Sequence, residues 1–289
     1  VEVNEIINNK EKFRKFATSL NLHIPKIVKV EEINDFLPVI IKPVDAYSGH
    51  GITIINEDNT ANISAAVKSA KKVSASGQYI IEEFVQGQLH SHSAFISDGK
   101  IIIDFIVEEH GSVNQFVVDT SYVVHNFPND ILEKIRYDIT SLANKLNLCD
   151  GLIHTQFILN NEIFWIIEIT RRCPGDLYSQ LIELSTGFSY AEYYAKSFLN
   201  ESLKPSKNTL LQKHVIRHTL TSDQKRYYSS LKFYFHINIL KFVPLSVTGD
   251  LINESPLSRI GLLFISFNTK KDMNIALSKT LQKQLYKIN

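Results

Sequence analysis

The chain has 289 residues, of which 44% are hydrophobic and 21% are charged, and its formal net charge is +1. These values fit a folded globular protein, and the small net charge gives no basis for binding nucleic acid or a charged membrane surface. Only two cysteines are present, and no apolar run reaches the roughly 20 residues of a membrane span. We therefore expect a cytoplasmic protein with neither nucleic-acid nor membrane partners. The first residue is Val1, so we expect the natural start to lie upstream.

The predicted elements mix helices with β-hairpins. Helical spacing covers residues 5–20, 59–76, 129–147, 175–187, 189–199 and 271–286. Residues 93–110 read as a hairpin with an Asp98-Gly99 turn, and residues 151–170 as a second hairpin turning near Asn160-Asn161. Two or more strands follow Lys204. Because no regular βαβ alternation is visible, the pattern predicts an α+β fold with antiparallel sheets.

The first candidate site is the stretch IIKPVDAYSGHGITII, from Ile40 to Ile55. Lys42 closes an apolar strand, and a loop of small residues follows it. Small residues let backbone N–H groups approach a phosphate closely, and a lysine adds a point charge. An ordinary turn with an unrelated lysine is the alternative reading.

The second and third candidates are acidic residues at the ends of apolar strands. Glu82 and Glu83 precede Phe84 and Val85, an arrangement that can present one acid and backbone groups to a purine edge, or can be a solvated strand end. Glu168 leaves a strongly apolar strand, where a lone carboxylate is costly unless it is paired or bound to metal. Glu168 either forms a structural ion pair with the arginines at 171 and 172 or is a ligand of Mg²⁺. Such an ion needs few protein carboxylates when nucleotide phosphates supply its other ligands.

The order of these pieces resembles the ATP-grasp superfamily, and within it the carboxylate–amine ligases. The match covers residues 5–190 and includes Lys10 on the leading helix, GLIHTQF (151–157) and IEITRR (167–172). It implies an ATP-grasp fold of two α+β lobes whose antiparallel sheets grip ATP, with the domain that precedes these lobes missing. The implied divisions are a linking helix (1–22), a small lobe with the phosphate loop (23–85), a large lobe with the metal site (86–203) and a C-terminal subdomain packed on the large lobe (204–289).

The resemblance also implies roles for individual residues, with ATP and Mg²⁺ as cofactors. Two lysines contact the phosphates, a mobile loop closes over them, Glu82 accepts from the adenine amino group, and the following residues use backbone groups on the adenine edge. Apolar side chains sandwich the ring, Glu168 leads the metal ligands, and Arg172 stabilises the reacting phosphate or oxyanion. The full set is Lys10 and Lys42; Ser48, Gly49, His50 and Gly51; Glu82, Glu83, Phe84 and Val85; Ile40, Ile158 and Ile167; Glu168, Gln156 and Thr170; and Arg172, Gly175 and Asp176, with Lys42 and Arg172 as the catalytic pair.

Three positions depart from the family pattern. Leu89 stands where members often have the acid that binds ribose, Gln156 where they have the first metal acid, and Thr170 where they have an asparagine. The expected activity is ATP-dependent amide formation between a small-molecule carboxylate and an amine, through an acyl-phosphate. A degenerate nucleotide-binding subunit and an enzyme with another acceptor remain open, and so does a homodimer.

Four other residues have weaker functional interpretations. His154 is interpreted as a packed histidine or one that supports a site residue, or as a base, and Cys173 as a buried thiol or as a nucleophile. His90 and His92 share a strand face and could belong to a surface zinc site, but no third ligand lies nearby in the sequence.

Overall fold

The structure is a computed structural model that describes residues 2–46, 49–199, 201–205, 209–255 and 257–289. Its helices are α1 (Glu2–Asn8), α2 (Lys10–Ser19), α3 (Thr60–Val73), α4 (Asn129–Lys145), α5 (Tyr178–Thr186), α6 (Tyr190–Lys196) and α7 (Lys270–Leu281), with a 3₁₀ helix at Val30–Asp35. Its strands are β1 (Val39–Pro43), β2 (Thr53–Ile55), β3 (Tyr79–Glu83), β4 (Gln88–Ser97), β5 (Lys100–His110), β6 (Thr120–Val123), β7 (Gly151–Asn160), β8 (Ile163–Thr170), β9 (His214–Leu220), β10 (Arg226–Tyr227), β11 (Leu231–Phe233), β12 (Asn238–Pro244), β13 (Leu251–Ile252), β14 (Gly261–Phe267) and β15 (Tyr286–Ile288).

The helix predicted over 5–20 is two helices, because Asn9 interrupts it. Asn9 has extended backbone angles, and its side chain accepts a hydrogen bond from the backbone N–H of Lys12 at 3.0 Å. This is an N-cap, for which asparagine is among the preferred residues. The cap starts α2 at Lys10, the residue that the family resemblance assigns to phosphate.

The helix predicted over 271–286 is also shorter than expected, since α7 ends at Leu281. Lys283 has a positive φ of 59°, a conformation that commonly closes helices. The chain then forms β15, and Leu285 and Ile288 enter a buried cluster. The hairpin over 151–170 also differs slightly: its strands leave Asn161 and Glu162 as the loop, one residue later than predicted.

The described chain divides into two compact units. The first comprises residues 1–90, 128–149 and 155–171, and the second comprises residues 91–127, 150–154 and 172–289. Strands β4 and β7 each contribute residues to both.

The first unit contains a three-stranded antiparallel sheet in the order β2-β1-β3. Successive side chains of a strand point to opposite faces of the sheet, so each strand contributes to two different environments. One face packs on α3 and forms a buried cluster that includes Val39, Ile41 and Ile81. The helix begins where the Asn59 side chain accepts from the backbone N–H groups of Ala61 and Asn62. The other face of β1 and β3 carries both apolar and charged side chains.

The largest sheet has eight strands in the order β12-β14-β9-β6-β5-β4-β7-β8. The predicted hairpin β4–β5 is confirmed: Asp98 and Gly99 both have positive φ, as a two-residue hairpin turn requires. In the second unit, side chains from β4–β7, β9 and β14 pack against α5 and the Tyr190 end of α6 in one aromatic-rich cluster, while α7 covers Tyr122 and Ile216. None of the helices over the described ranges is long and apolar enough to cross a membrane.

Candidate functional site

Three side chains proposed for nucleotide binding share the face of the small sheet that points away from α3 in the first unit. Ile40 on β1 is paired directly with Glu82 on β3, and Lys42 lies two residues further along β1. Directly opposed residues share a face, and so do residues two apart on one strand. The core face takes Val39 and Ile41 instead. Strand alternation therefore brings the apolar residue, the lysine and the acid together.

The Lys42 ammonium forms an ion pair with the Glu82 carboxylate, and both groups are buried. A second cation meets the same carboxylate. Arg14, on α2, places Nε 2.7 Å from Glu82 Oε1, without hydrogen-bond alignment, and its Nη2 donates to Glu82 Oε2 at 3.4 Å. Arg14 Nη2 also donates to the carbonyl of Ile167 on β8 at 2.9 Å. The result is a buried cluster of two cations around one carboxylate.

The charges of this cluster shift its pKa values in a consistent way. Burial lowers the pKa of Lys42, against the attraction of Glu82, and repulsion from Arg14 lowers it further. Burial alone would raise the pKa of Glu82, but Arg14 and Lys42 outweigh it and hold that pKa below its ordinary value. Glu82 is therefore ionised at neutral pH, and its single charge is shared between two cations.

The other predicted phosphate lysine, Lys10, lies at the start of α2. Its backbone N–H donates to the carbonyl of Val44 at 3.0 Å, and its Nζ donates to the carbonyl of Ala46 at 2.8 Å. These contacts tie α2 to the beginning of the loop that follows β1. Lys10 is therefore adjacent to the base of the loop.

The loop itself is anchored at its base. Asp45 accepts hydrogen bonds from the Ser74 hydroxyl at 2.6 Å and from the backbone N–H groups of Ala75 and Ser76. Gly49 and Gly51 have φ near +70°, which glycine adopts without steric cost, and His50 between them is exposed. Ser48, the remaining predicted loop residue, lies outside the described residues.

The predicted adenine-edge segment continues from β3. The backbone N–H of Glu83 donates to the Lys26 carbonyl at 3.0 Å, and the Glu83 carboxylate accepts from the backbone N–H of Lys26. The N–H of Phe84 donates to the Pro38 carbonyl at 2.9 Å. The backbone N–H groups of Glu83 and Phe84 are thus already hydrogen-bonded within the protein, so a nucleotide contact through Glu83 would use its carbonyl. The next residue, Val85, is half-buried.

The metal candidates lie on two neighbouring strands of the large sheet, Gln156 on β7 and Glu168 and Thr170 on β8, and all three are half-buried, as is the adenine candidate Ile158 on β7. Within the described ranges, the Glu168 side chain has no ion pair or hydrogen bond, whereas Arg171 donates to the Cys149 carbonyl at 2.7 Å. The structural ion pair between Glu168 and Arg171 is therefore not formed. No three His, Cys, Asp or Glu side chains of the described chain cluster to hold a metal by themselves.

The remaining predicted residues belong to the second unit. Arg172 and Gly175 are exposed. The Asp176 carboxylate forms ion pairs with Arg259 and with the buried Arg217, and Arg217 also donates to the Asp176 carbonyl at 3.1 Å. Asp176 thus organises two arginines, which the sequence did not indicate.

The weaker candidates find packing roles. His154 is buried, with Nδ1 3.0 Å from the Ser93 hydroxyl. His92 Nε2 lies 2.9 Å from Asp104, and His90 stacks on Phe157 with ring centroids 5.4 Å apart. Burial raises the pKa of the Cys173 thiol, which opposes a nucleophilic role.

Sequence reasoning missed Arg14. The signal was available, because Lys10, Phe13, Arg14 and Ala17 have the i, i+3, i+4, i+7 spacing of a buried helix face. A charge within such a stripe needs a buried partner, and here that partner is Glu82.

Comparison with known proteins agrees with this geometry. Residues 35–180 match the model of the ATP-grasp domain. The chain is 25% identical over 183 residues to the carbamoyl phosphate synthase large chain of Saccharolobus islandicus, covering 60% of this chain but only 17% of that protein. It is 29% identical over 200 residues to the D-alanine–D-alanine ligase of Fusobacterium nucleatum, covering 64% of each. Among solved structures, the L-amino acid ligase of Bacillus licheniformis superposes with a TM-score of 0.76 at 15% identity, covering 99% of this chain and 73% of that one.

The chain belongs to the ATP-grasp family, since the family model matches about half of it. The predicted α+β ATP-grasp fold is confirmed, and ATP and Mg²⁺ are the cofactors that go with it. The chain spans about a sixth of the length of the first relatives it matches.

Proposed function

We propose that this protein is an ATP-dependent ligase that joins a small-molecule carboxylate to an amine. The observation that carries the proposal is the shared face of Ile40, Lys42 and Glu82 in the first unit. It brings together an apolar side chain, a cation and an acid, which are the groups that suit the ring, the phosphates and the amino group of ATP. The half-buried, unpaired Glu168 on β8 adds a carboxylate with no protein counter-ion among the described residues.

Each residue has a defined task in this proposal. Lys10 and Lys42 neutralise the phosphates of ATP, and Glu82 accepts from the adenine amino group. Backbone groups from Glu83 to Val85 meet the purine edge, while Ile40, Ile158 and Ile167 supply apolar contacts to the ring. The loop around Gly49–Gly51 opens to admit nucleotide and then closes over the phosphates.

The proposed reaction has two steps that balance. A carboxylate oxygen of the substrate attacks the γ-phosphorus of ATP, forming an acyl-phosphate and releasing ADP. The amine then attacks the acyl carbon, loses a proton and expels phosphate, leaving an amide. Arg172 stabilises the negative charge that develops on the reacting oxygens, and positioning by lysines and arginine accounts for most of the catalysis.

The residues present suit a magnesium site that depends on phosphate ligands. Glu168 would hold the ion with the amide oxygen of Gln156 and the hydroxyl of Thr170, and the nucleotide would complete the coordination. Mg²⁺ supplies charge neutralisation between the phosphates when it is bound. With one carboxylate among these three groups, the expected affinity for free Mg²⁺ is low.

Two relatives support an amine as acceptor. One is named as a D-alanine–D-alanine ligase and the other as an L-amino acid ligase. Amino acids carry both reacting groups, which makes them the first substrates to test.

The test is Mg²⁺-dependent ADP release from ATP over a matrix of amino acids and small carboxylates, with Glu168→Gln as the matched control. We expect release with particular acid–amine pairs in the wild type, formation of the amide by mass spectrometry, and neither in the variant. If the protein binds ATP but none of the acid–amine pairs gives ADP release, a degenerate nucleotide-binding subunit is favoured. Release with bicarbonate or an alcohol alone would assign a different acceptor.

A further inference from the structure

The buried cluster in the first unit contains more positive charge than its carboxylate can balance. Arg14 and Glu82 are both 0% exposed, and Lys42 is 8% exposed. Arg14 and Lys42 both pair with Glu82. In the part of the chain that the structure describes, Glu82 is the one acid that either cation reaches within 4.0 Å.

Lys42 has two incompatible tasks if it also binds phosphate. Its ammonium now lies on Glu82, and a lysine that turns toward a phosphate must loosen that contact. An ionised carboxylate left alone in a buried site is strongly unfavourable. Without a second cation, Lys42 would therefore be held on Glu82 and would bind phosphate weakly.

Arg14 removes this conflict because it is fixed in place. Its guanidinium donates to the Ile167 carbonyl as well as to Glu82, so it is tied to β8 and to β3 at once. When Lys42 leaves, Arg14 and Glu82 remain as a pair of equal and opposite charges. Arginine suits this task because its planar group can serve two acceptors while keeping its charge.

We propose that Arg14 is a positioning residue that keeps Glu82 compensated and so frees Lys42 for the nucleotide phosphates. This inference rests on the proposed function, because it requires that Lys42 meets phosphate. It assigns to the leading helix α2 a second contribution to the site, separate from that of Lys10.

The test is a double-mutant cycle on ATP binding, measured by calorimetry with Mg²⁺. We expect Arg14→Met to raise the Kd for ATP about tenfold, because Lys42 becomes the only counter-ion of Glu82. In a Glu82→Gln background no buried carboxylate remains to hold Lys42, so adding Arg14→Met should change the Kd by less than about threefold. Arg14→Lys, which keeps the charge, should lose less affinity than Arg14→Met.

Controls separate this role from simple support of the fold. Lys15→Met removes an exposed cation of the same helix, which pairs with Glu11, and should leave the Kd unchanged. Thermal unfolding identifies variants that do not fold, and if Arg14→Met is one of them, Arg14→Gln replaces it in the cycle. If the Arg14 substitution changed the Kd equally in both backgrounds, or did not change it in the wild-type background, this inference would be overturned while the proposed function would stand. Failure of the wild-type protein to bind ATP would remove the proposed function and the inference with it.

Discussion

At the scale of single residues, the position of Lys42 is determined by strand alternation. Its neighbours Ile41 and Pro43 point the other way, and Ile41 enters the core. Lys42 therefore lies on the face opposite the core, where its ammonium contacts Glu82 diagonally across the two strands. This explains why a lysine is tolerated inside a strand whose five residues are all buried.

Replacing this lysine should weaken nucleotide binding. We expect Lys42→Ala to cost about 1.5–3 kcal/mol of ATP binding, since it removes a charge-assisted contact to phosphate. The fold should survive because Arg14 still compensates Glu82. Calorimetry on the variant and on Lys72→Ala, an exposed lysine of α3, measures the difference. Equal affinities for all three proteins would place Lys42 outside the nucleotide site.

Two adjacent arginines allow a matched test of the oxyanion role. Arg172→Ala should lower turnover more than ATP affinity, because the contact that it loses strengthens in the transition state. Arg171→Ala should affect stability instead, since Arg171 donates to the Cys149 carbonyl. Steady-state kinetics and ATP titrations on both variants distinguish the two. Normal turnover of Arg172→Ala would show that the oxyanion is stabilised elsewhere.

At the scale of elements, the segment that leads from β3 into β4 depends on one glycine. A Cβ on Gly87 would lie 2.5 Å from the Leu159 carbonyl oxygen and 2.7 Å from Ile158 Cγ2. Both contacts are closer than real Cβ atoms allow, and one is to backbone, which cannot rotate away. The glycine therefore lets the segment after Val85 run directly against the strand that carries Gln156 and Ile158.

We expect Gly87→Ala to destabilise the protein by about 1–3 kcal/mol, through overpacking against β7. Gly175→Ala is the matched control for stability, because a Cβ there meets nothing within 4 Å. Urea unfolding followed by circular dichroism gives both values. A Gly87→Ala protein as stable as wild type would mean that the segment and β7 can separate without cost.

The elements also show what the sequence could and could not predict. Hairpin β4–β5 and helices α3 and α4 carry strong local signals, namely the Asp-Gly turn, the Asn59 cap and regular apolar spacing. Strands β10, β11, β13 and β15 have two or three residues each, too few to show a period of two. The cluster of Arg14 and Glu82 joins residues 68 positions apart, so only the folded chain reveals which buried charge compensates which. The magnesium site formed by Glu168, Gln156 and Thr170 remains a prediction.

At the scale of the whole molecule, buried histidines should make the protein sensitive to acid. Burial, with His92 and Arg172 nearby, lowers the pKa of His154 to about 3, and burial lowers that of His218 to about 4. In the unfolded chain both take up a proton near pH 6.5. Stability is therefore complete above that pH and is lost as the pH falls below it, by about 1.4 kcal/mol per pH unit for each histidine.

Urea unfolding at pH 7.5, 6.0 and 5.0 measures this dependence. His154→Gln should reduce the slope below pH 6.5 by the share of one histidine, even if the variant is less stable at every pH because the contact with Ser93 changes. His50→Gln, an exposed histidine, should leave the slope as it is. A slope unaffected by His154→Gln would mean that this histidine titrates normally in the folded state.

The division of the chain into two units also determines which truncated fragments of the protein can fold. The chain passes from one unit to the other five times, at residues 90/91, 127/128, 149/150, 154/155 and 171/172. Two of these passages fall inside strands β4 and β7, so neither unit corresponds to a continuous stretch of coding sequence. A truncation library that scans for a minimal soluble fragment should therefore return no short clone from the middle of the chain, and a split-protein reporter would have to be reassembled from halves that each hold parts of both units.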